Sequence, residues 1–269
     1  MAEEKNDQTG APRAGALKSL LNIELHSDYA IRLWAGRLAD KRSKGHRGGR
    51  PAIASMPLVI HVAGIVYRDS TADNPYADAV MVQLEQALTQ ASAQIQVKVS
   101  ELETVLSAIP SQISLTSIAS VKPLNIGIFS RSPLGYRCVW LLVGYDQMAM
   151  KAFQAHHYGL ISRQHRDGLL HQGGHLIRKI YGILRSWRRV EVSRADILAQ
   201  TPQGVAAIAR LGEPDAAVMS GAVRSSFSPP LRRMPVPAPS AAPAKEGDDP
   251  QQVDTPVVRS ARPEDQVPE

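Results

Sequence analysis

Histidine is the residue type that most invites a chemical role in this sequence, because five of the eight histidines lie within residues 156–175. His171 and His175 are four residues apart, so on a helix their imidazoles share one face, a spacing that can hold a metal ion. A hydrolytic zinc site also needs a carboxylate near its histidines, and the residues between these two are a glutamine and two glycines. The sequence therefore predicts no metal site here, and we expect these histidines to pack or to contact phosphates.

Residues for covalent or cofactor chemistry do not form a constellation either. The single cysteine, Cys138, stands in the apolar run Cys-Val-Trp-Leu-Leu, which indicates a buried structural thiol rather than a nucleophile. The glycines that follow Lys44 lack the Gly-Lys-Ser/Thr order of a phosphate-binding loop. We therefore predict a protein without catalytic residues, cofactor or metal.

The cellular compartment is indicated by three features of the sequence. One thiol excludes a disulfide scaffold and fits a reducing compartment. No apolar run is long enough to cross a membrane, and the N-terminus lacks the pattern of a secretory signal. We expect a cytoplasmic protein that does not associate with membranes.

Basic charge is concentrated in two segments of the chain. Lysines and arginines exceed acidic residues by 31 to 25. Residues 1–50 hold ten basic and six acidic side chains, and residues 155–190 hold seven basic and one acidic. Two such segments are typical of a surface that binds a polyanion such as DNA, although basic residues also solvate ordinary exposed faces. The candidates for contacts to DNA phosphates are Lys18, Arg32, Arg37, Lys41, Arg42, Lys44, Arg47, Arg50, Arg163 and Arg166.

A short strand is predicted near the N-terminus, because apolar and polar residues alternate over residues 21–26. The polar members face away from the core if the apolar members face it. An antiparallel ribbon with one such strand from each subunit of a homodimer fits the major groove of double-stranded DNA. The candidates for contacts to DNA bases are Asn22, Glu24 and His26. The alternatives are a plain edge strand, or a ribbon formed by residues 124–128 or 138–143 with the two helices that follow.

The fold predicted for the whole chain is mainly α-helical with a few short β-strands. We expect a mobile arm over residues 1–16, one folded domain over residues 17–225, and a disordered, proline-rich tail over residues 226–269. Within the domain, the predicted parts are a ribbon and helix over 17–38, a long helix over 76–109 and a basic helical segment over 145–187. The first of these is the candidate DNA-binding unit, and the long helix and a helical body are added to it.

The long helix carries a coiled-coil-like apolar stripe. Nine positions on a 3-4-3-4 spacing run from Met81 to Ile109, and eight of them are apolar, the exception being Lys98. A helix of this length needs a partner along its stripe. That partner is either another helix of the same chain or a second subunit.

Several short motifs, spread over about residues 17–230, occur in the order found in a known family. They are Ile23-Glu24-Leu25-His26, Arg32-Leu33-Trp34-Ala35-Gly36-Arg37, Asp73-Asn74-Pro75-Tyr76-Ala77-Asp78, Gly144-Tyr145-Asp146, Ala155-His156-His157, Gly173-Gly174-His175, Ile180-Tyr181-Gly182 and Ser225-Ser226-Phe227-Ser228-Pro229-Pro230. In these motifs the sequence resembles the integrating conjugative element protein family related to the AcaB-like transcriptional regulators.

The resemblance implies a function and transfers no catalytic residues. It implies a DNA-binding, ribbon-helix-helix dimer that activates conjugative transfer genes and is itself encoded on an integrating conjugative element. The sequence departs from such a unit in its basic, glycine-rich stretch over residues 39–50 and in the late start of a second helix. The alternative function is a non-enzymatic accessory or scaffold of the conjugation machinery, which would bind other conjugation proteins through the long helix and the tail.

Overall fold

The computed structural model describes residues 21–38 and 52–231. Its elements are β1 (Leu21–Leu25), α1 (Asp28–Ala35), α2 (Met56–Thr71), α3 (Pro75–Ser107), β2 (Leu124–Ile128), α4 (Pro133–His157), α5 (Arg163–Arg185), α6 (Arg194–Leu198), α7 (Pro202–Leu211) and α8 (Ala216–Met219). The prediction of a mainly α-helical fold with a few short strands is confirmed over these residues. The predicted arm, residues 39–51 and all residues after 231 lie outside the described part of the chain.

Polar residues before each helix explain where the helices begin. In all eight described helices, the side chain of the N-cap residue accepts a hydrogen bond from a backbone N–H of the first turn. The N-cap residues are Ser27, Ser55, Asn74, Ser132, Ser162, Ser193, Thr201 and Asp215. Proline stands in the first two positions of α2, α3, α4 and α7, where a missing N–H leaves no helical hydrogen bond unmade.

The apolar stripe of α3 is buried within the same chain. Met81, Leu84, Leu88, Ala91 and Ile95 belong to one core cluster, and α3 packs along α4 and also against α2 and α5. The helices of the chain itself therefore cover this part of the stripe, and a second subunit is not needed to do so.

Beyond Ile95 the buried stripe departs from the predicted spacing. Val99 rather than Lys98 faces the core, and the Lys98 ammonium forms an ion pair with Glu101 at 2.9 Å. A straight α-helix has about 3.6 residues per turn, so a strict 3.5-residue spacing drifts away from the buried face over several turns. The helix ends at Ser107, three residues before Pro110.

The basic helical segment predicted over residues 145–187 contains parts of two helices. The first of them, α4, already begins at Pro133, and α5 begins at Arg163 after a turn in which Gly159 has a positive φ of 76°. Residues 138–143 are part of α4, so the alternative strand proposed there is wrong. A fully apolar run shows no period of its own, which is why the sequence left strand and helix equally open.

Both strands belong to one antiparallel sheet, in which Leu21 pairs with Ile128 and Leu25 with Leu124. In the described chain β1 thus pairs with β2 of the same chain, whereas the prediction paired it with the same strand of a second subunit. Leu25 and Ile128 are buried against the helical core, so one apolar face of the sheet is covered by the chain itself. Pairing within a chain also avoids the loss of translational and rotational freedom that association of two subunits brings. The ribbon-helix-helix unit stays a prediction.

The described fold continues past residue 225, where the tail was predicted to begin. The Ser226 N–H donates to the Glu85 carboxylate at 2.9 Å, and the Ser228 hydroxyl donates to Asp78 at 3.3 Å. Phe227 lies beneath the Arg137 guanidinium, 5.3 Å from its carbon to the ring centre. Residues 226–228 are therefore fixed on α3 and α4, because polar and aromatic contacts compensate for their lack of aliphatic residues.

Candidate functional site

The outer face of the two-stranded sheet carries the polar side chains expected from the alternation. Asn22 and Glu24 are exposed, whereas Ile23 between them and Leu25 after them are buried. Glu24 stands opposite Asn125 of β2, which is also exposed and which the sequence reasoning did not include. In the sequence Leu-Asn-Ile-Gly-Ile, Asn125 is the polar residue between two apolar ones, which indicates that it faces outward. Only the pairing register shows that it lies beside Glu24. The sheet thus presents a polar face with hydrogen-bond donors and acceptors.

His26 is placed differently from the other two base-contact candidates. Its side chain is 19% exposed, its Nδ1 accepts a hydrogen bond from the Ser120 N–H at 3.2 Å, and its Nε2 lies 3.7 Å from the Glu24 carboxylate. These contacts tie the ring to the chain segment before β2. Its contact to a DNA base stays a prediction.

The junction between β1 and α1 is held by Asp146 of α4. The two oxygens of this buried carboxylate accept hydrogen bonds from the backbone N–H groups of His26 and Ser27, each at 2.8 Å. The Ser27 hydroxyl in turn accepts from the Ala30 N–H at 3.2 Å and caps α1. A carboxylate at a helix N-terminus is favoured by the helix dipole. Asp146 therefore fixes the direction in which α1 leaves the sheet.

A cavity of about 640 Å³ brings the two basic segments together, and we name it the arginine cavity. Arg32 and Arg37 reach it from the first segment, and Arg163, Arg166 and Arg178 reach it from α5. Asp167 is the one acidic residue among the described residues that line it. Its walls include the apolar side chains of Leu33, Tyr145 and Leu170, and charges beside an apolar wall interact more strongly than charges in open water. The cavity therefore combines five guanidinium groups with one carboxylate.

Arg166 is held in a fixed orientation at this cavity. Its guanidinium donates to Asp167 Oδ1 from Nη2 at 2.7 Å and from Nε at 2.9 Å, and it lies over the ring of Phe153. The hydrogen bond from Arg166, together with the nearby charge of Arg163, holds the pKa of the Asp167 carboxyl below its usual value. Asp167 is thus ionised at neutral pH and orients Arg166. A guanidinium fixed in this way can still donate from its remaining N–H groups to a phosphate.

Arg37 reaches the cavity because the chain makes a tight turn before it. Gly36 has a φ of 72°, and a Cβ at this position would lie 2.7 Å from the Ser55 nitrogen, so a glycine is required. Arg37 then forms two backbone hydrogen bonds with Ile53, at 2.9 Å and 2.8 Å. The predicted phosphate contacts Lys18, Lys41, Arg42, Lys44, Arg47 and Arg50 lie outside the described residues.

Arg178 is the cavity arginine that the sequence reasoning did not single out. It belongs to the basic segment and follows Arg163 on α5 by 15 residues, which is about four helical turns. From this spacing, Arg178 could have been predicted to lie on the same side of α5 as Arg163. No sequence pattern indicated that Arg32 and Arg37 lie opposite α5, because that placement depends on how α1 packs.

Side chains for metal or thiol chemistry are not assembled in the described part of the chain. His171 and His175 are exposed on α5, and residues 21–38 and 52–231 contain no group of three or more His, Cys, Asp or Glu side chains that could hold a metal ion. Cys138 is fully buried, and burial raises the pKa of its thiol to about 12. A thiol with this pKa carries almost no thiolate at neutral pH. Within the same residues, no helix is both long and apolar enough to span a bilayer.

Comparison with known proteins identifies the family. A family model for the transcriptional regulator AcaB matches residues 13–232. Among solved structures, the selenomethionine-containing AcaB from uropathogenic E. coli matches with a TM-score of 0.47 and 13% sequence identity, over 76% of this chain and 95% of that chain. No curated protein matches the chain. Since the family model covers most of the sequence, the chain belongs to the AcaB family of transcriptional regulators.

Proposed function

We propose that this transcriptional regulator binds double-stranded DNA, with the arginine cavity holding backbone phosphates and the polar face of the sheet contacting base edges. The observation that carries the proposal is the convergence of five arginines from two separate segments on one cavity. The proposal includes the finer role implied by the resemblance: a homodimer that activates conjugative transfer genes on an integrating conjugative element.

Phosphate binding follows from the chemistry of the arginine cavity. A guanidinium presents a planar fork of N–H donors that matches two phosphate oxygens, and it keeps its charge at any physiological pH. Asp167 is the one acidic residue among the described residues that line the cavity, and it forms ion pairs with Arg163 and Arg166, so arginines outnumber carboxylates on its walls. Phosphate contacts of this kind position a protein on the duplex and supply most of its salt-dependent affinity.

Base contacts are assigned to the sheet because its exposed side chains match base edges. Asn22 and Asn125 each offer an amide donor and an acceptor, as adenine requires, and Glu24 can accept from cytosine. The strand and α1 are consecutive, and Arg32 of α1 lines the arginine cavity. A single strand–helix segment therefore links the two kinds of contact.

Fluorescence anisotropy with labelled duplex DNA from upstream of the element's transfer genes tests the proposal. Affinity should fall steeply with salt, and Arg163→Ala and Arg178→Ala should each weaken binding to every duplex and reduce the slope of log K against log salt by about 1. Arg210→Ala is the matched control, because this exposed arginine lies on α7, away from the cavity. Absence of binding at low salt, or equal effects of the cavity and control variants, would refute phosphate binding by this cavity.

Sequence preference is tested separately with a matched and a scrambled duplex. Asn22→Ala and Asn125→Ala should reduce the ratio of the two affinities and leave binding to the scrambled duplex nearly unchanged. Uniform weakening on both duplexes would place these residues among the phosphate contacts instead.

The homodimer and the activating role need their own measurements. Light scattering after size-exclusion chromatography should give twice the chain mass of 29.2 kDa. A transfer-gene promoter fused to a reporter should respond to the wild-type protein and not to Arg163→Ala. For the accessory-protein alternative, the part of α3 available to conjugation proteins is its exposed face, because its stripe from Met81 to Ile95 packs within the chain.

A further inference from the structure

We propose that a second cavity in this protein binds a small amphipathic carboxylate, a molecule with an apolar body and one carboxylate head. This apolar cavity lies between α3 and α5, has a volume of about 690 Å³, and is distinct from the arginine cavity. Its size is that of small-molecule sites, which typically span about 300–1,000 Å³. Nothing in the DNA-binding proposal uses it.

The inner wall of the apolar cavity suits an aliphatic or aromatic body. Ile95 of α3, Met148 of α4 and Leu169 of α5 line it, and all three are buried. Leu176 extends the same wall along α5. An apolar ligand placed here removes its own surface from water and contacts side chains that are already fixed by packing.

The rim of the apolar cavity selects a carboxylate head. Lys98, His171 and His175 lie on the rim, together with two glutamines, and none of the described residues that line the cavity is acidic. The Lys98 ammonium already pairs with Glu101, so the exposed imidazoles and the glutamine amides are the donors left for a ligand. An imidazole N–H donates to a carboxylate whether or not the ring is protonated. An amine, by contrast, finds no acidic residue among the described lining residues, and the nearby Glu101 carboxylate is already paired with Lys98.

The motif Gly173-Gly174-His175, which the DNA-binding proposal does not use, shapes this cavity. Gly173 lines it, and a Cβ there would lie 2.6 Å from the Met148 methyl group and 2.6 Å from the Tyr145 ring. The absence of a side chain lets α4 and α5 approach closely, so that the buried Met148 packs directly against Gly173. His175 then stands on the rim two residues further on.

A regulatory consequence rests on the proposed function. His171 lines both the apolar cavity and the arginine cavity, and α5 supplies residues to both. A carboxylate bound at His171 adds a negative charge beside the arginines and reduces their attraction for phosphate. Ligand binding therefore lowers DNA affinity.

Isothermal titration of the full-length protein with decanoate, decanol and decylamine, below their aggregation concentrations, tests the site. We expect saturable binding of one decanoate per chain, weaker binding of decanol, and the weakest binding for decylamine. Ala93→Trp, which places an indole in the cavity from an exposed position of α3, should weaken decanoate at least tenfold. The double variant His171→Ala/His175→Ala should weaken decanoate and leave decanol unchanged, whereas the control His61→Ala on α2 should change neither.

Three results would overturn the proposal: no saturable decanoate binding, binding that is insensitive to Ala93→Trp, or decylamine binding as tight as decanoate. The regulatory part is measured by DNA anisotropy at saturating decanoate, where we expect at least a threefold loss of affinity in the wild type and none in Ala93→Trp. If DNA affinity does not change at saturating decanoate, the proposed regulation is refuted, but the proposal that the cavity binds a carboxylate is not. If the protein does not bind DNA at all, the proposed function fails, and the titrations without DNA still decide the site.

Discussion

Replacing Arg194 with alanine should destabilise this protein far more than removal of a surface arginine. Arg194 is buried, and its guanidinium donates to Asp73 at 2.5 Å, to Asp78 at 2.6 Å and to the carbonyl oxygen of Met219 at 3.2 Å. Asp78 is fully buried and also accepts from Arg224 at 3.0 Å. This cluster joins α6 and α8 to the start of α3, so its loss weakens the attachment of these C-terminal helices to the rest of the fold.

The magnitude follows from the partners that remain after the substitution. Removing one member of a buried ion pair costs about 3–5 kcal/mol, because the other charge is left without compensation. Arg224 still compensates for Asp78, which places the expected loss at the lower end, about 3 kcal/mol. For a domain of this size, each kcal/mol lowers Tm by roughly 2–4 °C, so the expected change is roughly 6–12 °C.

The pH dependence of stability gives a second measure of the same cluster. Burial alone raises the pKa of Asp78, but hydrogen bonds from Arg224, Ser70 and Arg194 outweigh this effect and hold the pKa below its usual value. A lowered pKa contributes stability that is fully present above the unfolded value of about 3.9 and is lost as pH falls through the folded value. The wild type should therefore lose stability below about pH 4 more steeply than Asp78→Asn.

Differential scanning calorimetry at pH 7 and below pH 4 measures both effects. Arg210→Ala is again the control, and as an exposed substitution it should change stability by less than about 0.5 kcal/mol. The reasoning is refuted if Arg194→Ala and Arg210→Ala have the same Tm. It is also refuted if Asp78→Asn keeps the full acid sensitivity of the wild type.

Three further predictions concern the strand–helix junction, the turn before the cavity and the cysteine. Asp146→Ala leaves the His26 and Ser27 N–H groups without their acceptor and should cost about 1–3 kcal/mol, measured by urea unfolding; an unchanged midpoint would contradict it. Gly36→Ala should weaken DNA binding in the anisotropy assay, because the residue has a positive φ and a Cβ would collide with the backbone of residues 53–55. Cys138 should resist iodoacetamide at pH 8 in the folded protein and react after denaturation, as seen by mass spectrometry, since burial raises its pKa to about 12; rapid labelling of the folded protein would show that the thiol is accessible.

Local features of the fold could be predicted from the sequence because each depends on neighbouring residues. The alternation over residues 21–26 indicates a strand with Asn22 and Glu24 on its polar side, and both are exposed. The serine before α1 and the apolar stripe of α3 likewise mark a helix start and a buried face. Where a segment lacked a period, as over residues 138–143, the sequence could not separate helix from strand.

The candidate site could be predicted only in part, since its residues come from separate elements. Arg32, Arg37, Arg163 and Arg166 are identifiable by charge, but charge alone does not show that they share a cavity. Asn125 could be assigned to the candidate site only from the register of two strands that lie about 100 residues apart in sequence. His26 looked equivalent to Asn22 by period, yet its hydrogen bond with Ser120 turns it toward the chain.

By itself, the sequence determined the mainly helical class, the outward side of β1 and the two basic segments, because periodicity and charge are properties of the chain before it folds. The tertiary structure alone decided which strand pairs with β1, that the α3 stripe is covered within the chain, and that the basic segments meet. Each of these depends on packing between elements far apart in sequence. The arginine cavity forms because Asp146 and the turn at Gly36 set the course of α1 opposite α5.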